Sequence, residues 1–363
     1  MSEHQQSVRV PRARIDASAL RHNLEVARGL APKSKIMAVV KANGYGHGIV
    51  ASARALSGAD ALGVARLDEG LTLRSAGVRS TLVLLEGVFS ANDLQIAAAE
   101  SMQVVVHNLE QIAMLEQTGL AGQLDVWVKV DTGMNRLGFR LADFPSAWDR
   151  VRALSPRTMR LMTHLSAAEA VDKAATAEQV ARFESLQVAE QIERSIANSA
   201  GLILHERARV EWVRPGIMLY GISPIPTMTA AELRLRPAMT LSTQLISIRE
   251  VKAGDTVGYN GIWRAERHSK VGIAAVGYGD GYARNMQSGA PVLVQGRPTQ
   301  VVGRVSMDMT AIDVTDTDAR VGDTVTLWGE GLPVERVAPF AGTIAYELVC
   351  GINQRVAVEW INV

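Results

Sequence analysis

Apolar and polar residues follow two different rhythms along this chain, and the change of rhythm divides it. Over the first two thirds, short apolar runs alternate with alanine- and leucine-rich stretches. The runs are Lys35–Ala42, Ala61–Ala65, Thr81–Glu86, Gln103–His107, Asp125–Asp131, Met159–Leu165, Glu193–Ser199 and Glu211–Tyr220. Runs of this length bounded by turn residues predict strands. Between them, Asp16–Leu30, Ala91–Glu100, Leu109–Gln117 and Ala174–Gln191 repeat their apolar positions with helical spacing. About eight strand–helix units match the count of a parallel (β/α)8 TIM-type barrel, an α/β fold. Periodicity alone leaves a doubly wound sheet as the alternative.

Beyond Arg236-Pro237 the long helical stretches stop while strand-like runs continue, among them MTLSTQLISIREV, KVGIAAVGYG, PVLVQG, TQVVGRVSMDMTAIDV, DTVTLWG and RVAVEWI. One short helix is expected near Val334–Ala341. The pattern predicts a barrel over 8–235 and a mostly-β domain over 236–363, with the extreme N-terminus packing on the latter.

Composition narrows the function. With 38 basic and 37 acidic residues the formal net charge is +1, so no nucleic-acid partner is expected. No run approaches the ~20 apolar residues of a membrane span. The N-terminal MSEHQQSVRVPRARID lacks the apolar core of a signal peptide, and a cytoplasmic protein is expected. The single cysteine, Cys350, cannot form an internal disulfide; its YELVCGI setting reads as buried and inert. No metal is expected.

Active sites of TIM-type barrels lie at the C-terminal ends of the strands. Lys41, Arg136, His164, Asn198-Ser199 and Arg214-Pro215-Gly216 all fall at or just beyond the ends of strand candidates. A lysine ending an apolar strand is partly desolvated, which favours its neutral, nucleophilic amine. The glycines that follow it in KANGYGHG allow close backbone approach to a ligand. In isolation each residue has a plainer reading: a strand-end lysine reaching solvent, a structural histidine, an arginine in a surface ion pair, a serine capping a helix.

VVKANGYGHG nevertheless resembles the pyridoxal-phosphate attachment motif of the alanine racemase family. The similarity continues in the family's order through KVDTGMNRLGF, THLSAAE, ANSAG, WVRPGIMLYG, VGYNGIW, VGYGDGYAR, GRVSMDM and AYEL, over nearly the whole chain. The resemblance implies a barrel plus a β domain, assembled as a head-to-tail homodimer with two shared active sites. It implies racemisation of L- and D-alanine through the Schiff base of substrate and cofactor. The product would supply peptidoglycan, or alanine would be broken down.

On that resemblance, Lys41 holds the cofactor and moves a proton on one face of the substrate. Tyr259, from the second subunit, serves the other face; a proton that leaves one face and returns on the other needs two groups. A phenol ordinarily titrates near ~10 and needs help as a base. The resemblance implies a chain from Tyr259 through His164 to Arg214. Arg214 would also meet the pyridine nitrogen. A guanidinium does not accept a proton, so the ring stays a weaker electron sink and side reactions such as transamination are suppressed.

Tyr45, Asn198, Ser199, Gly216, Ile217 and Tyr346 match cofactor contacts, most of them to the phosphate. Arg136 matches the contact to the cofactor's phenolic oxygen and the substrate carboxylate, which the Met307 N–H shares. Glu169, Tyr278, Arg284, Arg304 and Asp308 match the substrate-access channel, with Tyr278 and Tyr346 as its inner gate. Lys129 stands where some relatives carry a carbamylated lysine; a plain Lys129–Asp131 pair is the alternative. Ser195 replaces a histidine that stacks on the cofactor in some relatives, and Asn260 replaces a frequent glycine. Other readings are a broader racemase acting on serine, a pyridoxal-phosphate decarboxylase of the same architecture, and a non-enzymatic cofactor carrier.

Overall fold

The computed structural model describes residues 11–189 and 191–363. The extreme N-terminus expected on the β domain falls, for residues 1–10, outside the described residues. Contacts divide the chain into two units. One holds Leu20–Leu219 and Ser223–Leu235; the other holds the described residues up to Ala19, Tyr220–Ile222 and Arg236–Val363. No helix among the described residues is long and apolar enough to cross a membrane.

After β1 (Arg12–Asp16), the first unit contains β2 (Lys35–Val39), β3 (Ala61–Val64), β4 (Leu82–Leu84), β5 (Met102–Val106), β6 (Asp125–Asp131), β7 (Phe139–Arg140), β8 (Thr158–Met162), β9 (Arg194–Ser195) and β10 (Trp212–Val213). The ladder runs β5-β4-β3-β2-β10-β9-β8-β6, and pairing of β6 with β5 closes it. Every pairing in it is parallel. The two-residue β7 adds to β6 outside the ring. This is a closed eight-stranded parallel barrel, not a doubly wound sheet. Helix Ala17–Leu30 leads into its first strand, and helices including Ala91–Ala99, Leu109–Thr118 and Ala174–Glu184 connect its strands. Ser90 and Asn108 start two of them by accepting the N–H of Asp93 at 3.1 Å and of Gln111 at 2.8 Å.

Inside the ring, Met37, Ala61, Val83, Val105, Trp127, Met162 and Trp212 form one apolar layer, each from a different strand. Trp127 and Trp212 meet edge to face at 5.6 Å. Arg160 lies over both rings and pairs with Glu193 at 2.6 Å. Burial raises the Glu193 pKa, but bonds from Lys35, Arg160 and Trp212 outweigh it and bring it down to about 2. The N-terminal end of the barrel is thus plugged by aromatic rings and ion pairs.

The second unit is built on β11 (Met239–Val251), with β12 (Thr256–Val257), β13 (Trp263–Arg264), β14 (Ser269–Ala274), β15 (Pro291–Val294), β16 (Arg297–Gln300), β17 (Thr310–Asp313), β18 (Thr324–Trp328) and β19 (Ala357–Ile361). Met239, Leu241, Thr243 and Leu245 are buried on one face of β11. The strand pairs with β1 and β18, then with β14; register shifts at Leu241/Ser242 and Leu245/Ser247 bend it between these partners. β1 also pairs in parallel with β19, so the chain's first described strand belongs to this sheet. The helix expected near Val334–Ala341 is Val334–Val337 continued by a 3-10 turn, and a second, Ala345–Cys350, follows it. Cys350 is exposed, contrary to its apolar setting. Ala345, Leu348 and Val349 take the buried side of that helix, and Cys350, at its last position, falls on the other.

Candidate active site

Lys129, His164 and Arg214 each stand two residues beyond a member of the barrel's apolar layer, namely Trp127, Met162 and Trp212. Lys41 stands four beyond Met37. Strand side chains repeat their direction every second residue, so these rows carry all four groups to the C-terminal mouth.

Arg214 is buried and clamped. One outer nitrogen donates to Ser195 Oγ at 2.5 Å; the other donates to the Thr163 carbonyl at 2.5 Å and the Ile196 carbonyl at 3.3 Å. That second nitrogen also lies 3.4 Å from His164 Nδ1. Nε takes part in none of these bonds. Ser195 Oγ donates in turn to the Trp212 carbonyl at 3.0 Å. Burial lowers the Arg214 pKa to about 10, which leaves a cation at neutral pH.

His164 is held well below the ordinary imidazole range by burial first, then by the charges of Arg214, Lys129, Arg136 and Lys41. The ring is therefore neutral. With a donor against Nδ1, its proton is assigned to Nε2. Buried Gln179 steadies the His164 loop, donating to the His164 carbonyl at 3.1 Å and accepting the Ser166 N–H at 2.9 Å. Lys129 is brought down to about 8 by burial, then by Arg214, Arg136 and Lys41, with Asp131 opposing. Asp131 Oδ1 accepts the N–H groups of Gly133, Met134 and Asn135 at 2.8, 2.9 and 3.1 Å. This fixes the loop that presents exposed Arg136.

Directly after Lys41 the backbone enters a left-handed turn, with φ of 53°, 54°, 61° and 51° at Ala42, Asn43, Gly44 and Tyr45. Asn43 Oδ1 accepts the Ile49 N–H at 3.0 Å, and His47 Nδ1 donates to the Tyr45 carbonyl at 2.8 Å. Tyr45 is thereby laid against Gly216, where a Cβ would sit 2.3 Å from its hydroxyl. Ser199 Oγ accepts the Gly216 N–H at 2.8 Å and the Met218 N–H at 3.4 Å. Asn198 caps the helix Ser199–Leu204 through the Gly201 N–H at 2.8 Å. Ile217 opens a 3-10 turn, Ile217–Tyr220. Hydroxyls, backbone N–H groups and helix starts gathered at one rim form a neutral donor set suited to a phosphate.

The β unit carries the remaining candidates. Tyr259 is 65% exposed on a turn whose Gly258 packs on the backbone of Arg304; a Cβ at Gly258 would lie 3.3 Å from the Arg304 nitrogen. Tyr278 donates its N–H to the Ser306 carbonyl at 3.0 Å, beside exposed Met307 and Asp308. Tyr259, Tyr278, Arg304, Met307 and Asp308 therefore lie on adjoining loops. Tyr346 sits on the helix Ala345–Cys350, and Arg284 is exposed after the Tyr278 loop. In the barrel unit, Glu169 is exposed after the His164 strand.

Residues 15–224 match the family described as alanine racemase, N-terminal domain, and residues 238–360 the one described as alanine racemase, C-terminal domain. The chain is 49% identical over 351 residues to the alanine racemase of Shewanella loihica, covering 96% of this chain and 98% of that one. It superimposes on the biosynthetic alanine racemase of Pseudomonas aeruginosa with a TM-score of 0.95 at 42% identity, covering 98% and 100%. The alanine racemase of Acinetobacter baumannii gives 0.93 at 38% identity, covering 98% and 100%. The chain belongs to the alanine racemase family.

Membership makes it an isomerase that racemises alanine. Three groups at the barrel mouth escape a sequence reading based on family positions. The part Ser195 plays is one of them: it is the acceptor that locks Arg214. Gln179 supports His164 from the helix Ala174–Glu184. Glu69 accepts backbone N–H groups beside Lys41. All three act on main-chain or neighbouring polar atoms of distant segments, a relation that no local spacing displays.

Proposed function

We propose that the chain interconverts L- and D-alanine by a two-base mechanism, with pyridoxal phosphate on Lys41 and active sites shared between two copies. The observation that carries this reading is the barrel-mouth cluster of Lys41, Lys129, Arg136 and Arg214 around a neutral His164. The residues fit the cofactor. Arg214 offers Nε to a ring nitrogen while its outer nitrogens are engaged. Ser199 with the Gly216 and Ile217 backbone suits the phosphate, with Asn198 and Tyr45 alongside, and Tyr346 is proposed as a further phosphate contact. When bound, the cofactor supplies an electron-withdrawing ring that acidifies the substrate's α-carbon.

The chain's own residues do the rest. Arg136 binds the substrate carboxylate, joined by the Met307 N–H of a second copy. Lys41 Nζ takes or returns the α-proton on one face. Tyr259 Oη, also from the second copy, does so on the other. His164 presents Nε2–H toward the phenol oxygen when that oxygen carries negative charge, and Arg214 keeps Nδ1 from taking a proton. Glu169, Tyr278, Arg284, Arg304 and Asp308 line the route in, which Tyr278 and Tyr346 restrict to small side chains. The setting is cytoplasmic, and the product is D-alanine for peptidoglycan or L-alanine for breakdown.

The purified protein should absorb in the visible, and borohydride should bleach that band and leave the label on the Lys41 peptide. Alanine in deuterium oxide should exchange its α-proton as it racemises. Tyr259→Phe should keep the band and lose about 10²–10⁴-fold in racemisation in both directions. Undiminished racemisation by that variant would end the two-base reading.

A further inference from the structure

Three loops of the β unit converge on one guanidinium that has no role in the scheme above. Arg355 Nε lies 3.1 Å from Asp280 Oδ1, and its terminal nitrogen donates to Asp308 Oδ1 at 2.6 Å. Asp280 is buried, at 3% exposure, and its second oxygen accepts the Gly277 N–H at 2.9 Å. Asp280 thus closes the tight loop that carries Tyr278, and Asp308 follows Met307 directly.

The backbones of these two loops are also bonded. Tyr278 donates to the Ser306 carbonyl at 3.0 Å and Gly279 to the Met307 carbonyl at 2.8 Å. Gly279 has no room for a side chain: a Cβ would lie 2.3 Å from an Arg355 nitrogen and 3.0 Å from the Met307 oxygen. Asn353 completes the junction, donating to the Gly279 carbonyl at 2.8 Å and accepting the Arg355 N–H at 2.9 Å.

We infer that Arg355 is a positioning residue that sets the gap between Tyr278 and Met307, and with it the size of side chain the enzyme accepts. The inference rests on the proposed roles of Tyr278 as gate and Met307 as carboxylate donor. A planar fork can hold two carboxylates at a fixed separation; an ammonium is a single point charge and cannot reproduce that geometry. Asp280 is already buried and tied to its own loop, so a weakened clamp frees the Asp308 side and leaves the two backbone bonds alone to set Met307 against Tyr278.

The test uses the holoenzyme and Arg355→Lys. The variant should keep the wild-type cofactor absorbance. KM for alanine should rise about tenfold while kcat changes less than about threefold, because carboxylate binding is disturbed and the proton-moving groups are not. The ratio of kcat/KM for serine over alanine should rise about threefold to tenfold as the gate widens. A purely structural role would lower the amount of active enzyme and leave both KM and that ratio unmoved, and this result overturns the inference. If Arg355→Lys does not fold, Gly279→Ala replaces it, since it wedges a methyl into the same junction with every charge retained; the same two results decide. A wild-type enzyme without cofactor absorbance or racemisation would instead refute the functional reading itself.

Discussion

Glu69 accepts the backbone N–H of Ala42, the residue after Lys41, at 2.7 Å, and its other carboxylate oxygen accepts the Ala65 N–H at 2.7 Å. One side chain on the first turn of the helix Leu67–Ser75 thus ties the end of β2 to the end of β3. The bond matters because Ala42 begins the left-handed turn. That conformation costs roughly 1–2 kcal/mol for each residue with a Cβ, so the turn persists only where it is held. Glu69→Gln keeps one accepting oxygen but sets an NH2 donor against the second N–H. A hydrogen bond to a charged group contributes about 1.5–3 kcal/mol. Cofactor affinity should fall about tenfold, read by titrating the apoprotein and following visible absorbance. Unchanged affinity would show that the turn holds its shape without Glu69.

Ser195 makes a parallel case on β9, two strands from β2 around the ring. It is fully buried and takes an N–H from Arg214. Ser195→Ala leaves a buried cationic donor unpaired, which should cost about 2 kcal/mol of stability in urea denaturation of the apoprotein. Because the guanidinium is then free to turn, cofactor affinity should fall as well. A variant as stable as wild type would mean that Thr163 and Ile196 alone fix Arg214.

These two residues show where sequence reading stops. All eight barrel strands overlap predicted runs, because a strand packed on both faces must be apolar along its length, and DVWVKVD or KIMAV can be little else. The last two are far shorter than their runs. Only Arg194–Ser195 and Trp212–Val213 keep ladder bonds before the chain turns to form the Asn198 cap and the Ile217–Tyr220 turn. The helix expected over Ala174–Gln191 stops at Glu184. Cys350 misleads because its neighbours are apolar, whereas its exposure depends on the short helix it ends. Lys41, His164 and Arg214 are visible in the sequence because strand ends can be located from periodicity. The roles of Glu69, Ser195 and Arg355 are not, because Ala42, Arg214 and Asp308 lie 27, 19 and 47 residues from them.

Lys129 has the chemistry for carbamylation. Burial and the nearby cations bring its pKa down to about 8, so far more of its amine is uncharged near neutral pH than for an ordinary lysine. An uncharged amine adds to carbon dioxide: a bond forms from Nζ to carbon, one proton is released, and a cation becomes an anion. An anion there would offset the repulsion among Arg136, Arg214 and Lys41. With ¹³C-bicarbonate, a carbamate resonance should appear, grow as pH rises through about 8, and be missing from Lys129→Ala. No such resonance in the wild type at saturating bicarbonate would leave Lys129 as a plain amine paired with Asp131.

The same burial that shapes the site makes the fold sensitive to acid. His47 lies under the left-handed turn with Nδ1 on the Tyr45 carbonyl, and burial lowers its pKa from 6.5 to about 4 although the Tyr45 and Gly44 carbonyls oppose the shift. Between those two values the unfolded chain takes up a proton that the folded chain refuses. Stability is therefore intact above pH 6.5, falls as the pH drops, and has lost this contribution in full by about pH 4. The difference amounts to about 3 kcal/mol. His164, depressed in the same direction, adds to the loss. His47→Asn keeps an N–H donor for the Tyr45 carbonyl but has no proton to gain. Denaturation of the apoproteins at pH 7 and near pH 4 should show the wild type losing about 3 kcal/mol more than the variant. Equal losses would assign the acid sensitivity to other groups, His164 first among them.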